Sequence, residues 1–205
     1  MKILVVTALP SGEQSRTKKL LDAFVDNIKD RKQLEFLNLL EDRPDFVTPE
    51  ILEAYKLRNY QGKELTKKQK ESISKFDRMT KQFTSADIVV MAFPMYNFSL
   101  PGIIKTYFDS VMLKGETFDT DPEGFVGLMA GKRALVLMSS GGKYSGENSS
   151  YDYATTLVGL EFDFMGFSDV RIILAQGLDM KTTDVKKIVS QAQDEVKKVI
   201  KAWKL

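Results

Sequence analysis

The stretch Asp87-Ile88-Val89-Val90-Met91-Ala92-Phe93, ended by Pro94, decides the fold. An uninterrupted apolar run rich in β-branched residues belongs to a strand covered on both faces, as in the middle of a parallel sheet. Ile3 to Val6 and Arg133 to Met138 repeat the pattern. Leu34 to Leu40 carries charge among its apolar residues and suits a sheet edge, and Val170 to Leu174 reads as a fifth strand. The intervening segments change period. Leu20, Leu21, Phe24, Val25 and Ile28 form the stripe of an amphipathic helix. Arg43 to Phe83 holds two helical stretches, one opening after Thr48-Pro49 and one after Thr66, separated near Gln61-Gly62. Leu100 to Leu113 reads as a helix with Pro101 in its first turn, followed further on by helices over Tyr153 to Phe164 and Val185 to Trp203. Strands alternating with helices specify an α/β fold, a doubly wound five-stranded parallel sheet flanked by helices, in a single domain over residues 1–205.

Composition narrows the chemistry. The chain is 43% hydrophobic and 28% charged, ordinary for a globular protein. It contains no histidine and no cysteine, which rules out a Ser-His-Asp triad, thiol chemistry, disulfides and the usual zinc sites. Catalysis therefore needs a cofactor or carboxylates. A net charge of +2 is too small for a protein whose task is to neutralise nucleic-acid phosphates, so no nucleic-acid partner is expected. No stretch approaches the roughly 18 apolar residues needed to cross a bilayer, and the N-terminus lacks a long apolar leader. No membrane partner and a cytoplasmic location are expected.

In an open α/β sheet, ligands bind outside the carboxyl ends of the strands, and three clusters stand there. After the first strand there is neither a dinucleotide fingerprint nor a P-loop. Instead Ser15, Arg16 and Thr17 open the first helix, where hydroxyls, free N–H groups and the positive helix end suit a phosphate monoester. Ser15 serves equally as a plain N-cap. After the third strand, Pro94-Met95-Tyr96-Asn97-Phe98-Ser99-Leu100-Pro101 presents two aromatics, a Met and an Asn between prolines. A flat, partly apolar ring could lie there with main-chain N–H groups reading its edge, or the aromatics could simply cap the sheet. After the fourth strand, Ser139-Ser140-Gly141-Gly142 allows close backbone approach to a ligand, or forms a plain turn. A terminal phosphate at the first strand and a planar heterocycle across the third and fourth fit a flavin mononucleotide. Tyr107 and Phe108 suit the core, whereas Phe118 in its Gly-rich, acidic loop could line a cleft or a partner surface.

These residues carry a family resemblance. The run from Asp87 through Pro94-Met95-Tyr96-Asn97-Phe98, followed by Pro101, Lys105, Tyr107, Phe108 and Asp109, resembles the FMN-dependent NADH-azoreductase family, flavodoxin-like NAD(P)H:quinone and azo oxidoreductases. Thr117-Phe118, Pro122-Glu123-Gly124, Gly131-Lys132, Ser140-Gly141-Gly142 and Gly166 to Val170 extend it over nearly the whole chain. The resemblance implies a homodimer that passes two electrons from NADH or NADPH through FMN to quinones and azo compounds in a ping-pong sequence. It implies that Ser15, Arg16 and Thr17 hold the FMN phosphate, that Met95 to Phe98 line the isoalloxazine, and that Ser139 to Gly142 meet its pyrimidine edge. Phe164 corresponds to a position that in relatives reaches across the dimer to the substrate pocket, and Phe118 is assigned to the same pocket; Phe164 could equally be core. One departure stands out: Ala8-Leu9-Pro10 occupies the place where relatives have a serine, so that contact is missing or is made by Ser11. The alternative on the same fold is a flavodoxin-type electron carrier docking with redox proteins, but such carriers are usually strongly acidic.

Overall fold

The computed structural model describes residues 1–205. Five parallel strands, β1 (Ile3–Thr7), β2 (Leu34–Asn38), β3 (Ile88–Pro94), β6 (Arg133–Ser139) and β7 (Asp169–Ala175), form a sheet in the order β2-β1-β3-β6-β7. Alternation of side chains along each strand builds two cores. Leu4 and Val6, Val89, Met91 and Phe93, and Ala134, Val136 and Met138 face one side. Ile3 and Val5, Ile88, Val90 and Ala92, and Leu135 and Leu137 face the other. The apolar runs carry no polar alternation because both faces need apolar cover.

The first core is covered by α3 (Lys67–Thr84), α4 (Gly102–Val111) and α5 (Tyr153–Phe164), the second by α1 (Arg16–Asn27) and α6 (Val185–Trp203). Register pairs Thr7 with Ala92, Pro94 with Ser139, and Ser139 with Ala175, so the carboxyl ends of four strands come out along one edge. The strand order reverses between β1 and β3, and the loops that diverge there open a crevice.

Three local features differ from the sequence reading. Pro101 (φ −53, ψ 139) precedes α4 as its N-cap residue rather than sitting in its first turn. The segment before β3 contains α2 (Pro49–Tyr55), which runs into a π-helical turn at Lys56–Tyr60 before α3. Between α4 and β6 lies an antiparallel hairpin, β4 (Phe118–Asp121) with β5 (Gly124–Gly127), that the periodicity did not announce. Gly127 and Gly166 meet there backbone to backbone: a Cβ on Gly166 would stand 3.0 Å from Gly127, so the hairpin is seated on the turn after α5 by the absence of side chains. No helix is long and apolar enough to cross a membrane.

Candidate cofactor site

The loops after β1, β3, β6 and β7 enclose a cavity of about 340 Å3 at the switch in strand order. One end is the start of α1, with Ser11, Gln14, Ser15 and Arg16 on its wall. The first N–H groups of a helix have no intrahelical acceptor, and with the positive end of the helix they favour an anion. Ser15 takes the N-cap position, and its Oγ accepts a hydrogen bond from Lys18 N–H at 3.3 Å. It is both the cap and part of the cavity wall, so the two readings of this serine coincide. Ser11 lines the cavity too, whereas Ala8 is fully buried and does not.

Thr17 is placed differently from its expected role. Its side chain is fully buried, and its Oγ1 lies 2.6 Å from Ser139 Oγ, outside the cavity lining. The bond ties the first turn of α1 to the end of β6, so Thr17 sets the distance between two walls of the site instead of facing a ligand.

The β3 wall is a two-residue hairpin turn. Tyr96 N–H donates to Ser99 O at 3.0 Å and Ser99 N–H to Tyr96 O at 2.9 Å, with Asn97 (φ 45) and Phe98 (φ 71) at the tip. Left-handed values at both central residues define a type I′ turn. Asn adopts that region readily, but an aromatic residue there stores strain of about 1–3 kcal/mol. Met95 is 9% exposed and belongs to the core, so it packs against the sheet as well as lining the cavity; its N–H donates to Ser139 O at 2.9 Å. Pro94, Met95 and Tyr96 line the cavity, while the side chain of Phe98 turns into a neighbouring cleft and Asn97 is exposed at the tip.

The β6 wall, Ser139 to Gly142, is braced by the loop after β7. Leu178 N–H donates to Ser140 O at 3.1 Å, Asp179 N–H to Gly141 O at 3.0 Å, and Gly177 N–H to Gly142 O at 2.8 Å. Ser139, Ser140 and Gly141 line the cavity, and Gly142 lines the neighbouring cleft. A Cβ on Gly141 would displace the Asp179 carboxylate from where it pairs with Arg16. Asp179 Oδ1 in turn lies 2.6 Å from Arg16 Nη1, an ion pair that spans the cavity from α1 to the β7 loop. The sequence reading passed over Leu178 and Asp179. The rule that pointed to the ends of β1, β3 and β6 applies equally to β7, and Gly177-Leu178-Asp179 is the segment there.

Phe118 and Phe164 stand apart from this cavity. Their ring centroids are 5.0 Å apart, and Phe125 lies 5.4 Å from Phe164. Phe118 and Phe164 line a mostly apolar groove of about 310 Å3 with Ile51, Leu52, Tyr55 and Leu113. At its edge Glu161, only 7% exposed, is pushed above the usual carboxylate range by burial, against the pull of Lys105 Nζ at 3.6 Å. No group of His, Cys, Asp and Glu side chains that could hold a metal ion is present.

The donor set suits a mononucleotide flavin: hydroxyls, a guanidinium and a helix start at one end, and an exposed aromatic hairpin with close-approach backbone at the other. Fold and cleft together define a flavodoxin-like protein, and residues 1–200 match the flavodoxin-like fold family, to which the chain belongs. It is 34% identical to the FMN-dependent NADH:quinone oxidoreductase of Coprothermobacter proteolyticus, over 98% of this chain and 99% of that protein. It is 31% identical to the enzyme of the same name from Azospirillum brasilense, over 96% of each. The crystal structure of an FMN-dependent NADH-azoreductase from Bacillus anthracis in complex with FMN superimposes with a TM-score of 0.86 at 28% identity, covering 98% of both chains. Within the flavodoxin-like proteins, this chain is a member of the FMN-dependent NADH:quinone oxidoreductase family.

Proposed function

We propose that the protein is an FMN-dependent oxidoreductase that moves two electrons from NADH to quinones and azo compounds, and that it works as a cytoplasmic homodimer. The observation that carries this reading is the cleft at the β1/β3 switch, which joins the start of α1 to the Tyr96–Ser99 hairpin and the turn at Ser139, Ser140 and Gly141 in a member of this family. Bound FMN would supply the two-electron chemistry that a chain without histidine or cysteine lacks.

The residues supply position and polarity. Ser11, Ser15, Arg16 and the first N–H groups of α1 would hold the phosphate, with Thr17 fixing that helix against Ser139. The Tyr96–Ser99 hairpin and the Ser139–Gly142 turn would flank the ring, Met95 packing beneath as part of the core. Main-chain N–H groups of those turns would stabilise negative charge at the ring edge, as preorganised donors do elsewhere. An exposed, aromatic-walled site accepts many flat molecules, and donor and acceptor that use the same face must take turns.

The dimer reading rests on apolar exposure around the groove. Phe125 is 70% exposed, Leu160 60% and Val47 50%, beside the Phe118–Phe164 pair. Isologous pairing of that face would cover it and could bring Phe118 and Phe164 of one protomer to the cleft of its partner. A flavodoxin-type carrier is not favoured, because the chain carries +2 rather than a strongly acidic surface. Steady-state kinetics tests the reading: parallel double-reciprocal lines with NADH and a benzoquinone are expected, and converging lines would mean that both substrates bind together.

A further inference from the structure

A second cleft of about 440 Å3 adjoins the candidate cofactor cavity, and no step described so far uses it. The two share a wall. Tyr96 and Gly141 face the cofactor cavity, and Phe98 and Gly142 from the same turns face the second cleft. Its sides are aromatic: Phe98 lies 5.8 Å from Tyr144 with the rings edge to face, and 5.9 Å from Tyr151. Phe98 is 47% exposed and Tyr151 53%, so this cluster is not a filled core.

The walls are nevertheless fixed. A Cβ on Gly142 would stand 2.9 Å from the Tyr144 hydroxyl, so glycine there is what lets the Tyr144 ring lie over the turn. Tyr144 N–H donates to Gln176 Oε1 at 2.7 Å. Tyr153 N–H donates to Phe98 O at 3.1 Å, which clamps the segment carrying Tyr151 to the hairpin. The strained φ of Phe98 delivers its ring to this cleft while its neighbour Tyr96 stays in the cofactor cavity.

The polar groups have one sign. Lys143 is the only charged residue on the lining and forms no ion pair; Ser145 and Asn148 supply neutral donors and acceptors. Exposed aromatic faces, an amide and an unneutralised ammonium suit a purine nucleotide: the rings stack the base, the amide reads its edge, and the cation meets phosphate. The volume lies in the range of small-molecule sites.

Resting on the function proposed above, we propose that this cleft binds the adenosine diphosphate half of the reduced dinucleotide donor while its nicotinamide reaches over the shared wall to the flavin in the cofactor cavity. Tyr151 and Phe98 stack on adenine and Lys143 holds the pyrophosphate. A dinucleotide is two flat rings joined by a charged linker, and two clefts sharing one wall, with a cation on the lining of the second, match that shape.

The test uses the FMN-loaded protein, with flavin retention measured first. ADP-ribose, the donor without its nicotinamide, is titrated by calorimetry into the parent, Tyr151→Ala, Tyr151→Phe and Lys143→Gln. The parent should bind ADP-ribose, Tyr151→Ala and Lys143→Gln should each bind it about tenfold more weakly, and Tyr151→Phe should match the parent. In parallel, the parent should prefer NADH to reduced nicotinamide mononucleotide as the agent that bleaches the flavin, and the two weakened variants should lose most of that preference. A flavin-loaded parent that fails to bind ADP-ribose, or that binds it equally in all four proteins, overturns the assignment and leaves the cleft to the acceptor. A parent that retains no flavin strikes instead at the function proposed above, and the assignment falls with it.

Discussion

Arg16 and Ser15 sit side by side at the start of α1 but should fail differently when replaced. Arg16 is held by Asp179 at 2.6 Å and offers its remaining donors to the cavity. Arg16→Gln should weaken FMN binding by roughly tenfold or more, since one charge-assisted hydrogen bond contributes about 1.5–3 kcal/mol. Riboflavin, which lacks the phosphate, should bind parent and variant alike in fluorescence titrations. Ser15→Ala removes a cap as well as a wall, so it should also lower stability by about 1 kcal/mol. Thr17→Val should weaken FMN and riboflavin together, because it breaks the bond to Ser139 Oγ rather than a contact to phosphate. Glu161 gives a pH signature. Burial raises its pKa in the folded chain, so the stability tied to its protonated form is present at low pH and lost as pH climbs through the folded value. Glu161→Gln should therefore raise the thermal midpoint at pH 8 by about 2–4 °C, the scale of a small stabilisation in a chain of this size. The two melting curves should converge near pH 4. A gap that persists there would mean the effect is not protonation.

At the level of elements, the Tyr96–Ser99 hairpin is the part whose geometry matters most to the site and is least ordinary. Asn97→Val puts a β-branched residue at φ 45 and should cost about 1–3 kcal/mol in urea unfolding, whereas Asn97→Gly should be close to neutral. Legibility in the sequence varied from element to element for physical reasons. The runs that became β1, β3 and β6 were readable because burial on both faces leaves no polar residue to blur the pattern. The bounds read for α5 and α6 match the structure, where Asp152 and Asp184 cap them, and α6 was readable because Val189, Ala192, Val196, Ile200 and Trp203 give it a sustained apolar face. The β4–β5 hairpin was not, because four-residue strands written Phe-Asp-Thr-Asp and Gly-Phe-Val-Gly show no usable period and are held by docking on Gly166. The position of Ser15 and Arg16 at the start of α1 was legible because a helix start is a local feature. The Arg16–Asp179 and Thr17–Ser139 pairs were not, since they join residues 163 and 122 positions apart that only the sheet register brings together.

Over the whole molecule, the cofactor cavity and the aromatic cleft beside it lie at the strand ends, and an apolar groove lies on the face carrying α2, α4, α5 and the β4–β5 hairpin. If the groove is a dimer face, Leu160→Lys should leave the chain folded but shift sedimentation toward the monomer, and the monomer should lose acceptor turnover more than flavin binding. A parent that sediments as a fully active monomer would separate the groove from catalysis. Whether the switch-point cleft holds FMN and passes electrons from NADH is read from the anaerobic absorbance of the reconstituted protein. One tightly bound FMN per chain, favoured over FAD, is expected, with visible absorbance that disappears on adding NADH and returns on adding a quinone or an azo dye. Absence of bound flavin after reconstitution, or a bound flavin that NADH leaves oxidised, would contradict it.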